Sequence, residues 1–154
     1  MNLSDLHLKL PLHANILVGD DTFRVLNARV YQGWQDFRRW RWEEWQLQSS
    51  DGVEHWLSYS THEGLLFLKK VSATQLPPKT SKTIPFEGID YRITDSINAK
   101  CVFDASVGRA PLRNIRSTYL TADTPSVYLS LEFDEEGTEL FTGRQISEAL
   151  IEVL

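Results

Sequence analysis

The sequence predicts a mainly β protein in which two similar antiparallel β-meanders pack as a sandwich or a partly closed barrel. Many short runs alternate apolar and polar residues with a period of two, as strands with one buried face do. Aromatic residues reach 11%, with five tryptophans, and they concentrate in these runs together with β-branched residues. Glycine-based turn signals separate the runs, which favours hairpin connections between neighbouring strands.

The first half of the chain contains four predicted strands. The alternation places them at residues 22–31, 38–48, 55–60 and 65–71. Asp51-Gly52 predicts a hairpin turn between the second and third strands, because glycine tolerates the positive φ that tight hairpins require. Glu63-Gly64 predicts the next turn in the same way.

The second half repeats this pattern after one predicted linker. The linker covers residues 72–83, which contain Pro77-Pro78 and show no apolar periodicity. Further strands are predicted at 86–96, 99–105, 116–121 and 126–133, and Glu136-Gly137 predicts a hairpin turn before Leu140-Phe141. Residues 147–154 fit either a last strand or a short terminal helix capped by Ser147.

The two halves resemble each other. Residues 43–71 and 117–146 both read as strand, polar turn, strand, glycine turn and strand. We therefore predict an internal duplication with halves at about 10–71 and 84–146, although any two β-meanders share some of this likeness. A half of this size scarcely builds its own core. The expectation is thus a single domain over residues 1–154.

Composition excludes several classes of function. A net charge of −5 and a pI near 5.3 oppose binding to nucleic acid. Cys101 is the one cysteine, so no disulfide forms within the chain. We find neither a leader segment nor an apolar run long enough to cross a bilayer, so we expect a cytoplasmic protein without direct membrane insertion.

The sequence contains no recognisable catalytic or metal-binding motif. Its four histidines lack HxH and HExxH spacing, so no metal site is predicted. GxSxG, Walker and GxGxxG motifs are also missing, so we predict no cofactor and favour a non-enzymatic protein.

The densest candidate site is the tryptophan-rich stretch at residues 33–47. On an extended strand Trp40, Trp42, Glu44 and Gln46 point to one side, while Trp45 points to the other. Either the strand is covered on both faces, or Trp40 and Trp42 form an outward aromatic platform for a sugar, a base or a protein partner. The candidate binding residues here are Trp34, Trp40, Trp42 and Glu44.

Glu44 combines a charge with an aromatic neighbourhood. A desolvated carboxyl group has a raised pKa, as catalytic acids do, unless an arginine such as Arg24 or Arg92 pairs with it. The loop at residues 104–116 contributes Arg109 and Arg113, which could grip a carboxylate or a phosphate. Solvated charges that balance local acids are the alternative.

Several short motifs resemble one bacterial family. The run Trp42-Glu43-Glu44-Trp45-Gln46-Leu47, followed by Asp51-Gly52 and Trp56-Leu57, is similar to domain of unknown function 4178 (DUF4178). In the second half, Leu129-Ser130-Leu131-Glu132 and Phe141-Thr142-Gly143-Arg144 resemble it too, and Gly108-Arg109-Ala110-Pro111 stands where the family tends to have Gly-Glu-Leu-Pro. The resemblance implies an accessory module in a bacterial envelope-stress or polyamine-related system, because members are often encoded near such proteins.

Two functions are consistent with these residues. The first is a non-enzymatic module that binds a protein partner, or itself, through the region from Trp34 to Trp45 and the loop around Arg109. The second is a small-molecule binder or hydrolase with a pocket between the two halves, built from Glu44, Arg109 and Arg113.

Overall fold

The computed structural model describes residues 1–35, 37–72, 83–108, 114–121, 127–134 and 137–154. Within these ranges the chain forms eleven strands and two 3₁₀ helices, Leu3–Asp5 and Glu148–Leu150. The strands are β1 (Asn15–Val18), β2 (Asp21–Gln35), β3 (Arg38–Ser49), β4 (Glu54–Ser60), β5 (Gly64–Val71), β6 (Thr83–Phe86), β7 (Ile89–Asp104), β8 (Asn114–Thr121), β9 (Val127–Asp134), β10 (Gly137–Gln145) and β11 (Ile151–Val153).

All strand pairings are antiparallel among the described residues, and they follow the same order in each half. A short strand pairs with a long one, and three more strands follow as a meander: β1 to β5 in the first half and β6 to β10 in the second. Two ladders join the halves, β5 to β10 and β2 to β7. The sheet is therefore strongly curled, and the prediction of a mainly β fold built from two antiparallel meanders is confirmed.

Some boundaries differ from the predicted ones. The strands predicted at 86–96 and 99–105 form a single strand, β7, which keeps its extended backbone because it pairs with β8 on one side and β2 on the other. Thr83, predicted to end the linker, begins β6, and residues 73–82 lie outside the described residues. At the C-terminus both alternatives occur in succession: Ser147 caps the second 3₁₀ helix and β11 follows it.

The convex, outer face of the sheet carries most of the apolar core. In the first half, leucines of the N-terminal segment pack against the outward side chains of β2 to β5. In the second half, side chains of β6 pack against β9 and β10. The first cluster includes Leu6, Leu8, Leu10, Val25, Trp45, Leu47 and Leu57; the second includes Ile84, Phe86, Leu129, Leu131 and Leu140.

A glycine marks each ladder that joins the two halves. At Gly143 on β10, an added Cβ would lie 1.9 Å from the carbonyl oxygen of Phe67 on β5. At Gly33 on β2, it would lie 2.9 Å from the carbonyl oxygen of Asn98 on β7 and 2.5 Å from Cγ2 of Ile97. Both ladders thus depend on a backbone approach that a side chain would prevent.

Candidate functional site

The inner face of the curled sheet encloses a polar cavity of about 280 Å³. Its walls come from both halves of the chain, which supply seven and two residues respectively. The first half contributes Arg29, Tyr31, Glu44, Gln46, Glu54, Trp56 and Lys70, and the second contributes Glu132 and Glu139. A cavity lined mainly by charged and aromatic side chains is the principal candidate site.

Glu44 lies at the floor of this cavity. It is 6% exposed, and its Oε1 accepts a hydrogen bond of 2.9 Å from Nε1 of Trp42. Its carboxyl group also shares a hydrogen bond with Glu132 on β9, which three strands separate from β3 in the sheet order. The two side chains therefore meet across the inside of the curl.

Burial raises the pKa of Glu44, and the hydrogen bonds with Glu132 and Trp42 and the charge of Arg29 oppose this rise only in part. Two carboxyl groups can share a hydrogen bond only when one of them holds a proton. Burial thus favours the protonated form of Glu44 beside Glu132. The sequence analysis predicted a raised pKa for a desolvated Glu44, and burial has this effect here.

Arg29 connects the cavity to an ion pair at the end of β7. It lies directly opposite Glu44 in the β2–β3 ladder, and its Nε donates to Oδ2 of Asp104 at 2.8 Å. Asp104 also accepts hydrogen bonds from Asn27 and Ser106. Although burial alone would raise the pKa of Asp104, the hydrogen bonds from Ser106, Asn27 and Arg29 lower it to about 2. The cation that faces Glu44 is thus Arg29, whereas the sequence analysis named Arg24 or Arg92 as the arginine that would pair with it.

The rim of the cavity is formed by a second set of charges. Nζ of Lys70 lies 3.2 Å from Glu54 and 3.4 Å from Glu139. These three side chains are 39%, 26% and 37% exposed, far more than Glu44. The gradient of exposure defines a mouth at Lys70 and a floor at Glu44.

Aromatic rings form part of the walls. Trp56 is 6% exposed, and its Nε1 has no hydrogen-bond partner in the part of the chain that the structure describes. The guanidinium carbon of Arg29 lies 5.9 Å from the Trp56 ring centroid, within cation–π range. Burial, reinforced by the charges of Glu44 and Glu132, raises the pKa of Tyr31, so its hydroxyl group stays protonated at neutral pH.

The structure separates the predicted tryptophans. Trp42 is buried and stacks on Tyr31 with ring centroids 5.4 Å apart. Trp40 is half-buried and meets His62 edge-on at 4.2 Å. Strand β3 is therefore covered on both faces from Trp42 to Leu47, which is the first of the two alternatives given in the sequence analysis.

The tip of the β2–β3 hairpin is the exposed part of this stretch. Trp34 is 59% exposed, with the guanidinium carbon of Arg39 at 4.7 Å from its ring centroid. Phe37 is fully exposed and has a φ of 64°, a left-handed conformation that glycine or asparagine adopts more readily. Arg38 is exposed beside them. We call Trp34, Phe37, Arg38 and Arg39 the hairpin tip.

Arg109 and Arg113, predicted to complete a pocket with Glu44, lie outside the described residues. The sequence analysis missed the rest of the cavity, namely Arg29, Glu54, Trp56, Lys70, Glu132 and Glu139. A signal was present for Arg29, Glu54, Lys70 and Glu139, because each is in phase with a buried apolar residue of its own strand. For example, Lys70 follows Leu66 and Leu68 on β5.

A larger surface groove of about 510 Å³ runs beside the N-terminal segment. Asp5 and Glu43 are its acidic residues, and Glu43 accepts hydrogen bonds from the backbone N–H groups of His7 and Leu8 at 3.1 and 3.0 Å. These bonds anchor the N-terminal segment on β3, so the carboxylate already has a structural role. We therefore rank this groove below the inner cavity.

Two further features are absent from the described residues. They contain no group of three or more His, Cys, Asp or Glu side chains arranged to hold a metal ion. Neither do they contain a helix long and apolar enough to cross a membrane.

Fold and site together define an antiparallel β protein with a charged cavity inside a curled sheet. The family model described as Domain of unknown function (DUF4178) matches residues 17–148. The chain therefore belongs to this family, as its motifs predicted. Comparisons with curated proteins and with solved structures gave no match.

Proposed function

We propose that the protein is a binding module that holds a small polar molecule in the cavity at Glu44. The observation that supports this most directly is the buried Glu44 at the floor of an open cavity whose other walls carry partly buried charges. Burying ionisable groups costs several kcal/mol each, and apolar residues of similar size would often be as stable or more stable. Retained buried charge that lines a cavity is therefore typical of a ligand site.

The volume sets the scale of the ligand. About 280 Å³ lies just below the usual range for small-molecule sites, which is roughly 300–1,000 Å³. The cavity thus suits a metabolite of a few carbon atoms rather than a nucleotide or a peptide.

Release of bound metabolites tests this function even while the ligand is unidentified. The protein is purified, denatured, and the released small molecules are identified by mass spectrometry. We expect one compound to be enriched with the wild type and reduced with Glu44→Gln, which keeps an acceptor for Trp42. Glu152→Gln, an exposed glutamate on β11, is the matched control. Equal release from all three proteins, or release from none, contradicts the proposal.

Binding should also stabilise the fold. A ligand at one hundred times its dissociation constant adds about 2.7 kcal/mol to the free energy of unfolding. For a chain of this size that corresponds to a rise in Tm of roughly 5–10 °C.

A second candidate function is protein binding or self-association through the hairpin tip. Trp34 and Phe37 expose two aromatic rings beside Arg38 and Arg39, and Trp and Arg dominate binding hot spots. The left-handed backbone at Phe37 is costly, and its side chain is fully exposed, which favours an external role.

Size-exclusion chromatography with light scattering and pull-down experiments test the hairpin tip. We expect the variant with both Trp34→Ala and Phe37→Ala to stay folded and to lose a partner or a dimer that the wild type keeps. Phe133→Ala, at another exposed phenylalanine, is the control. Identical partners and mass for all three proteins rule out this second function.

We also propose the setting that the family resemblance implies, a cytoplasmic accessory role in an envelope-stress or polyamine-related system. Deletion of the gene should then change survival under membrane stress or the cellular level of polyamines. Unchanged survival and unchanged polyamine levels contradict this setting, but they do not test the proposed ligand binding in the cavity.

A further inference from the structure

Strand β3 extends beyond one of its two neighbouring strands. It pairs with β2 along its whole length, from Arg38 to Ser49, whereas its ladder with β4 begins only at Glu43, opposite Tyr59. Among the described residues, the segment 38–42 therefore has a neighbouring strand on one side alone. We call this segment the open edge.

The open edge presents backbone groups that point away from the sheet. At the other end of β3, the N–H group of Ser49 donates to the carbonyl oxygen of Val53, on the side of β4. Backbone groups of a strand alternate between its two sides, so those of every second residue point the same way as those of Ser49. At the open edge these residues are Arg39 and Arg41. Their N–H and C=O groups have no strand to pair with in the part of the chain that the structure describes, and such an edge is a template for another strand.

The side chains of the open edge are strongly cationic. Arg38, Arg39 and Arg41 are exposed, and none of them forms an ion pair within the described ranges. The guanidinium group of Arg39 lies over the ring of Trp34, and Arg41 donates to the sulfur atom of Met1 at 3.4 Å, which is a weak acceptor. In a chain with a net charge of −5, this concentration of positive charge favours an acidic partner.

The same arginines oppose pairing between the open edges of two copies of this chain. In the antiparallel register that pairs the whole segment, Arg39 would lie opposite Arg41 of the second copy. Like charges directly opposite each other destabilise a strand pair. The charge of the edge therefore favours a foreign strand with acidic side chains over a second copy.

Space for an added strand is present where β4 ends. The surface groove of about 510 Å³ lies at this point, between Arg41 and Trp42 of the open edge and residues 59–61 at the end of β4. Its acidic side chains are already engaged, because Glu43 and Asp5 both accept hydrogen bonds from backbone N–H groups of the N-terminal segment. A strand bound at the open edge would continue the line of β4 into this groove.

We propose that the open edge binds an extended acidic segment of a partner protein as an added strand of the sheet. This inference rests on the second proposed function, protein binding at this hairpin, and it names the chemistry of the partner. Side chains alternate between the two faces of a strand, so every second residue of the bound segment lies beside Arg39 and Arg41 and carries a carboxylate. The residues between them lie on the face of Trp40 and Trp42 and are apolar.

Two synthetic peptides test the charge requirement. Gly-Glu-Val-Glu-Val-Glu-Gly and its counterpart Gly-Lys-Val-Lys-Val-Lys-Gly, both with blocked ends, are titrated into the full chain and followed by NMR. We expect the acidic peptide to bind at least about tenfold more tightly. The double variant Arg39→Glu and Arg41→Glu should reverse this preference, which loss of folding does not do. Arg24→Glu combined with Arg144→Glu, at exposed arginines on β2 and β10, changes the net charge equally and should keep the wild-type preference.

A second measurement tests whether the peptide adds a strand. Binding should protect the backbone N–H groups of Arg39 and Arg41 from hydrogen exchange, because these groups then donate to the peptide. Two forms of the acidic peptide, N-methylated at alternate sets of residues, provide a control, since only one set of N–H groups faces the sheet. We expect one form to bind as the parent peptide does and the other to bind about tenfold more weakly or less.

The outcomes separate this inference from the second proposed function. If both peptides bind equally, or neither binds, the inference is wrong, and the pull-down with Trp34→Ala and Phe37→Ala still decides whether the hairpin binds a protein. If the acidic peptide binds without protecting Arg39 and Arg41, no strand is added and the inference is also wrong. A wild-type dimer that the variant with Arg39→Glu and Arg41→Glu loses would assign the open edge to a second copy and would likewise overturn it.

Discussion

Substituting alanine for Gly143 tests whether the β5–β10 ladder holds the two halves together. The added Cβ would lie 1.9 Å from the carbonyl oxygen of Phe67 and 2.8 Å from Cα of Leu68. Ordinary van der Waals contact begins at 3.4 Å, so β10 must move away by about 1.5 Å, the difference from the shorter distance. Both opposing atoms belong to the backbone, and no side-chain rotation can relieve the clash.

The displacement gives an estimate of the loss in stability. A backbone N···O distance of about 2.9 Å would lengthen to about 4.4 Å, beyond the limit of a hydrogen bond. Losing two such bonds costs about 0.5–1.5 kcal/mol each, and overpacking adds about 1–3 kcal/mol. We therefore expect the free energy of unfolding to fall by roughly 2–6 kcal/mol.

Urea titration followed by tryptophan fluorescence measures this difference. Thr142→Ala on the same strand is the control, and it should cost less than about 1 kcal/mol because it removes only a strand-favouring side chain. If Gly143→Ala also stays within about 1 kcal/mol of the wild type, the close approach between β10 and β5 is not what joins the halves.

Four further predictions concern single groups. Burial raises the pKa of Cys101 to about 11, so a thiol reagent at pH 8 should react with it only after unfolding. The pKa of Asp104 is lowered, so its contribution to the free energy of unfolding is present above pH 4 and is lost as the pH falls through about 2. Asp104→Asn should therefore be less stable than the wild type at pH 7 and should lose less stability on acidification. Acid titration of both proteins measures this difference. The pKa of Glu44 is raised above 4.5 in the folded protein, so the wild type should lose stability as the pH rises through this raised pKa. Glu44→Gln has no carboxyl group at this position and should not show the loss. Urea midpoints of both proteins at pH 5 and pH 8 measure the difference. Trp34→Phe should remove most of the acrylamide quenching of the native protein, because the other four tryptophans are buried or half-buried.

Local pattern was sufficient to predict most of the strands. The alternation of Trp42, Glu44 and Gln46 against Trp45 and Leu47 predicted which side chains share a face, and the structure confirms that division. Glycine turns were equally informative, since Gly52 and Gly64 have φ values of 82° and 74° at the predicted hairpins. These features depend only on neighbours along the chain.

The cavity could not be predicted in this way, because it depends on how the ends of the sheet meet. Glu44 and Glu132 are 88 residues apart in sequence, and three strands lie between theirs in the sheet order. Only the ladders at Gly33 and Gly143 bring their strands to face each other. Period-two alternation places both glutamates on inward faces, but it does not say that these faces are one surface.

The distribution of charged groups indicates that the inner face of the sheet serves ligand binding rather than the stability of the fold. The chain buries its two larger apolar clusters on the outer face of the sheet, under the N-terminal segment and β6. On the inner face it keeps ionisable groups such as Glu44 and Arg29 beside two smaller apolar clusters. For stability alone, apolar side chains would serve better at these inner positions, since desolvating charges is costly. A variant that replaces Glu44 and Gln46 with leucine should therefore be at least as stable as the wild type and unable to bind any ligand of the cavity. A marked loss of stability in that variant would instead assign the inner charges to the fold.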